Sequence, residues 1–185
     1  NIPSLYEATM GGPKKTFELL VAELKLRGIA DAKEIIVVTD GASWIWNRSA
    51  ELPSLLGVSE DKVTRVADFY HAIEHLQAIA DSRNDWASKD VKRWVKTHKR
   101  FLLQGRVEKV IADARGLRRS RNRNLIRREV AYFQRLKPFM HYNFYRAHAI
   151  PIGSGAVESA IRRVINLRLK GAGIFWKRQT AEKVL

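Results

Sequence analysis

The stretch that most constrains this chain is Glu34 to Thr39 (EIIVVT), a short continuous run of β-branched apolar residues between polar flanks. Such a run reads as a strand buried on both faces, because a half-exposed strand would alternate apolar with polar residues. A doubly buried strand needs other elements packed on each side, which points to an α/β layered fold. Asp40 and Gly41 follow at once and close the strand with a turn. Val63 to Ala67 is a second candidate strand, and a helix is expected directly after it from about Phe69 to Ala80, with Phe69, Ile73, Leu76 and Ile79 as its apolar stripe. Upstream, Pro13 to Gly28 reads as a helix in which Phe17, Leu20, Val21 and Leu24 follow the 3.6-residue period. The connection after Asp40 carries Trp44 and Trp46 and reads as irregular; the two indoles serve either as core anchors or as a platform for a base.

Beyond about Asp85 the strand pattern disappears. Val91, Trp94, Val95, His98 and Leu102 fit one helix, and Val107, Val110, Ile111 and Ala114 a second after Gly105. Leu125, Ile126, Val130, Phe133 and Leu136 fit a third, ended before Pro138. Pro151 to Gly155 (PIGSG) then punctuates the chain, and a long helix is expected from Ala156, followed by another starting near Lys177. The whole reads as helix-rich α/β, with a helical insertion between its strand-bearing start and its last helices.

Charge supplies the first functional indication. Thirty-four Lys and Arg against 19 Asp and Glu give a net charge of +15, a surplus that favours a polyanion, because basic groups at phosphates release condensed counterions. No apolar run nears the ~20 residues of a membrane span, and no secretory leader is evident. The chain has no Cys, so disulfides and thiolate metal sites are excluded and a cytoplasmic setting is expected. Nucleic acid is the favoured partner.

Asp40 lies at the carboxyl end of a buried strand, where open α/β sheets place ligands, although Asp-Gly is also ordinary turn chemistry. Glu158 falls near the start of the helix after Gly155; an acid there suits the positive helix end, and structural acids at such positions are common. Acids from two elements that meet at one sheet edge could share hard Mg²⁺ ions. Asp68, His71 and His75 can share one helix face, with Glu74 nearby. His71 and His75 could bind Zn²⁺ only with a third ligand from elsewhere; bracing of the catalytic carboxylates is the alternative. Arg115, Arg118, Arg119, Arg121, Arg123, Arg127 and Arg128 form the densest basic segment, without an acid until Glu129. With Arg162, Arg163, Arg168 and Lys170 they suit phosphate contact more than base reading.

Four blocks occur in order: Val37 to Trp46 (VVTDGASWIW), Asp68 to Leu76 (DFYHAIEHL), Pro151 to Ser159 (PIGSGAVES) and Arg168 to Trp176 (RLKGAGIFW). Together they resemble bacterial insertion-sequence transposases of the DDE, RNase H-like class, specifically the group with a helical insertion before the final Glu. The resemblance spans about residues 35 to 185. It implies a partial RNase H-like core over residues 1–84, an all-helical insertion over 85–148, and a C-terminal helical part of the core over 149–185. It also implies that Asp40 is the second catalytic Asp, Glu158 the catalytic Glu, and Asp68 and His71 a supporting Asp-x-x-His element. Two Mg²⁺ or Mn²⁺ ions would serve phosphodiester hydrolysis and strand transfer, with element ends and target DNA as partners, a homo-oligomer as the active complex, and a nucleoid-associated location. The first catalytic Asp of the class has no counterpart, so this chain is expected to carry two of three carboxylates, to act as a piece of a longer transposase, and to be inactive by itself. A non-catalytic nucleic-acid-binding remnant, and a nuclease or resolvase on the same fold, are the alternatives.

Overall fold

The structure, a computed structural model, describes Thr9, residues 11–155, and Asn166, Trp176, Lys177 and 179–181. Glu158, Arg162, Arg163, Arg168 and Lys170 lie outside the described residues, as do most of the two C-terminal helices expected from the sequence. The described chain is helix-rich with one small sheet: α1 (Gly12–Leu26), β1 (Ile35–Thr39), α2 (Ser43–Ser49), α3 (Leu52–Leu56), β2 (Val63–Ala67), α4 (Phe69–Asp81), α5 (Ser88–Leu103), α6 (Val107–Gly116), α7 (Arg123–Leu136) and α8 (Tyr142–Ala147). None of the described helices is long and apolar enough to cross a membrane.

The chain divides into two compact units. One contains α1, α2 and α3, where the buried residues are Phe17 on α1, Ser49 on α2, and Leu52, Pro53 and Leu56 on α3. α3 ends at Gly57, whose φ of 69° supplies the left-handed residue that closes a helix. α2 departs from the irregular connection expected after Asp40. Its seven residues include two Trp and one Ile, too short a stretch to display a helical period, and Trp44 is 43% exposed rather than a core anchor.

The second unit holds nearly all of both strands and α4 to α8. β1 and β2 are neighbours with their carboxyl ends together, since the Asp68 amide after β2 donates to the Thr39 carbonyl ending β1 at 2.7 Å. The two strands therefore run parallel and present one common carboxyl edge, from which α4 departs. The expected apolar stripe of α4 is realised in large part: Phe69, Leu76 and Ile79 are buried, with Ala72 and Ala80. Complete burial of Leu76 and Ile79 stabilises the unit by ~1.5–3 kcal/mol each. α7 packs antiparallel along α4, as three pairs in register show: His71 with Tyr132, His75 with Glu129, and Ser82 with Asn122. α8 returns to the strands, where the buried Tyr142 hydroxyl donates to the Ala67 carbonyl at 2.9 Å. The chain then passes the start of α4, the Phe69 amide donating to the Ile152 carbonyl at 2.8 Å. Gly153 there leaves no room for a side chain, since a Cβ would lie 2.5 Å from the Tyr70 ring.

Candidate functional site

Asp40 follows the last residue of β1 and is exposed at the common carboxyl edge. One of its carboxylate oxygens, Oδ1, accepts the Ala42 amide at 2.9 Å, an Asx-type turn that fixes the side chain against its own backbone. Gly41 has a φ of 96°, and a Cβ there would meet Leu136 Cδ1 at 2.7 Å and Tyr132 Cε2 at 2.8 Å. Both the backbone conformation and the packing against α7 therefore require glycine. Arg135 completes the clamp by donating from Nη2 to the Gly41 carbonyl at 2.8 Å.

Asp40, Gly41, Ala42, His71, His75, Arg128, Ala131, Tyr132 and Arg135 line a cleft of about 600 Å³. Two buried polar groups adjoin its lining side chains. Glu129, on α7 and 2% exposed, bonds through Oε2 to His75 Nδ1 and through Oε1 to Arg128, whose Nε lies at 2.9 Å and Nη2 at 2.8 Å. Burial alone would raise its carboxyl, but the bonds from His75 and Arg128 hold it below the ordinary glutamate range. The His75 ring stacks on Tyr132 with centroids 3.6 Å apart. Tyr132 is itself buried, and its hydroxyl has no hydrogen-bond partner. Burial, with the charges of Asp68 and Asp40 adding to it, raises the Tyr132 phenol far above its ordinary value, so it stays protonated.

Asp68 is 3% exposed and caps α4: its Oδ1 accepts the Tyr70 and His71 amides at 2.7 and 3.1 Å. The His71 ring turns to Glu74, with Nδ1 2.8 Å from Oε2. The Asp-x-x-His element thus fixes the start of the helix that brings His71 and His75 to the cleft. His75 and Glu74 were visible as a local cluster in the sequence; Glu129, Tyr132 and Arg135 join the site only through the antiparallel packing of α7.

The basic segment is divided among different surfaces. Arg128 reaches the Asp40 cleft, and Arg119 and Arg121 line a separate one at the far end of α4 and α7. Arg115 lines a third with Glu108 and Lys137, while Arg118, Arg123 and Arg127 are simply exposed. No family model, curated protein or solved structure matches this chain.

Hard divalent cations take oxygen ligands, and the carboxyl edge is rich in them. Asp40 offers carboxylate oxygens, while the Thr39 and Tyr132 hydroxyls nearby are buried and lack partners. Asp40 therefore fits the part of a magnesium or manganese ligand. Among the described residues no group of three or more His, Asp or Glu side chains gathers as a metal site. A two-ion centre would need further acids beside Asp40.

Proposed function

We propose that this chain is part of a DDE-class DNA transposase with an RNase H-like core, acting on phosphodiester bonds at insertion-sequence ends. The observation that carries the reading is the placement of Asp40: an exposed carboxylate at the carboxyl edge of parallel strands, in one cleft with two arginines from α7. That combination suits a phosphodiester, since guanidinium groups neutralise the phosphate and an adjacent carboxylate suits a hard cation. Mg²⁺ or Mn²⁺, when bound, supplies activation of the attacking oxygen and stabilisation of the leaving one. Asp40 and Glu158 would be its ligands. Arg128 would bind the phosphate while anchored on Glu129, and Arg135 would hold the Asp40 turn through the Gly41 carbonyl. The four sequence blocks and the net charge of +15 support the same reading independently.

The test is nicking of supercoiled plasmid by the full-length protein in Mg²⁺ or Mn²⁺. Asp40→Asn and Glu158→Gln are each expected to reduce nicking to background while DNA affinity stays within about two-fold, since one charge among many phosphate contacts changes binding little. Cleavage that survives either substitution overturns the site. DNA binding without any metal-dependent cleavage identifies a non-catalytic binding protein instead, and cleavage without end joining a nuclease.

A further inference from the structure

The α4–α7 pair has two ends, and Asp40 lies at only one of them. At the other, Ser82 to Asp85 meet Arg119, Arg121 and Asn122 around a second cleft of about 380 Å³. Its floor is built by Asn122, 8% exposed: its Oδ1 accepts the Arg119 amide at 2.7 Å, and its Nδ2 donates to Ser82 Oγ and the Leu117 carbonyl at 3.2 and 3.3 Å. Arg83 lies 4.9 Å over the Trp86 ring and forks onto Asp85, Nε to Oδ1 at 2.8 Å and Nη2 to Oδ2 at 2.7 Å. Arg119 shares that carboxylate at 3.5 Å, and Arg121 has no acidic partner among the described residues. Two guanidinium groups thus share the Asp85 carboxylate, and a third lines the same cleft. A guanidinium fork accepts carboxylate and phosphate in the same planar, two-bond geometry, so Asp85 sits as an internal stand-in for an anion.

Arg121, Arg128 and Arg135 recur at intervals of seven along α7 and the turn before it, which puts them along one side. At ~1.5 Å per residue the outer two are ~20 Å apart, close to the axial rise of about six base pairs of a duplex at ~3.4 Å each.

We propose that the distal cleft binds a backbone phosphate of DNA, so that one duplex is gripped at two points, by Arg128 and Arg135 beside Asp40 and by Arg119 and Arg121 at the far end of α7. Asp85 competes with that phosphate for the arginines and weakens the distal grip. The inference rests on the nucleic-acid part of the proposed function and is independent of its cleavage chemistry.

Fluorescence anisotropy of this chain with a duplex of about 16 base pairs, followed against salt, tests it. Arg119→Gln with Arg121→Gln should weaken binding ~10-fold near 0.1 M salt and lower the salt slope by about two. Asp85→Asn should tighten binding ~3-fold, and the control Lys89→Gln with Lys92→Gln, on the exposed side of α5, should stay within about two-fold. Wild-type affinity in the Arg119/Arg121 variant, or an equal loss in the control, overturns the distal site. If Arg128→Gln with Arg135→Gln weakens binding while the Arg119/Arg121 variant does not, the distal site falls and the proposed function stands. If the unaltered chain binds no duplex at low salt, the nucleic-acid reading falls, and the distal site with it.

Discussion

Two histidine–carboxylate pairs in the second unit use the same groups to opposite ends. His75 stacks on Tyr132 at 3.6 Å and bonds through Nδ1 to Glu129; His98 stacks on Trp94 at 3.7 Å and bonds through Nε2 to Asp113 at 3.1 Å. In the first pair the acid is the buried member, 2% exposed against 23% for the histidine; in the second the histidine is buried, 4% against 28%. His98 also donates through Nδ1 to the Trp94 carbonyl at 2.8 Å, so both ring nitrogens are occupied, one within α5 and the other joining α5 to α6. His75 has one nitrogen fixed, while its ring lines the Asp40 cleft. The comparison teaches that both pairs tie two helices together, but that the ring stays accessible only where the acid is the buried member.

The sharpest way to break the comparison is to remove the exposed partner from each pair. His75→Ala leaves the Glu129 carboxylate buried with Arg128 alone, and should cost about 2 to 3 kcal/mol by urea denaturation, less than the ~3–5 of a fully stranded charge because Arg128 still donates. Asp113→Ala should cost only about 1 kcal/mol, since His98 keeps its bond to the Trp94 carbonyl and loses one partner that is itself partly exposed. Equal costs would remove the distinction between the pairs.

Acid should erase the difference between wild type and the second variant. Burial would raise the Asp113 carboxyl, but hydrogen bonds from Lys109 and His98 hold it below the ordinary aspartate value. A depressed folded-state value stabilises the protein above the unfolded pKa of ~3.9, and that stability is lost as pH falls through the folded value. Wild type and Asp113→Ala should therefore differ at about pH 6 and converge below about pH 4. The smallest effect belongs to Tyr132→Phe. It removes a buried hydroxyl without a partner and keeps the ring under His75, so stability should be unchanged or rise by up to about 1 kcal/mol. A loss of more than that would reveal a partner for the hydroxyl.

Local features of this chain were legible without coordinates. β2 runs over Val63 to Ala67 as its β-branched pattern predicts, and α4 ends one residue beyond the expected boundary. Their legibility follows from period and capping, which act within a few residues. α2 was not legible, because seven residues with two Trp carry no helical period. Asp40 could be singled out by its place after an apolar run read as a doubly buried strand, although Ile36, Val37 and Val38 are only half-buried because the two-stranded sheet leaves β1 partly uncovered. Glu129 read only as the acid that ends an arginine run, because its partner His75 is 54 residues away and meets it through helix packing. The same distance in sequence hid Arg135 at Gly41 and the meeting of Arg83 with Arg119 and Arg121 in one cleft.

The contact of Gly41 with α7 also bears on how this site can change by descent. A side chain at position 41 would collide with Leu136 and Tyr132 in a backbone conformation that already disfavours one. Replacing the glycine would displace the acid while leaving its codon intact. Asp40 and Gly41 are therefore a single unit of selection, and a lineage drifting away from this site can lose it first through the residue that carries no functional group.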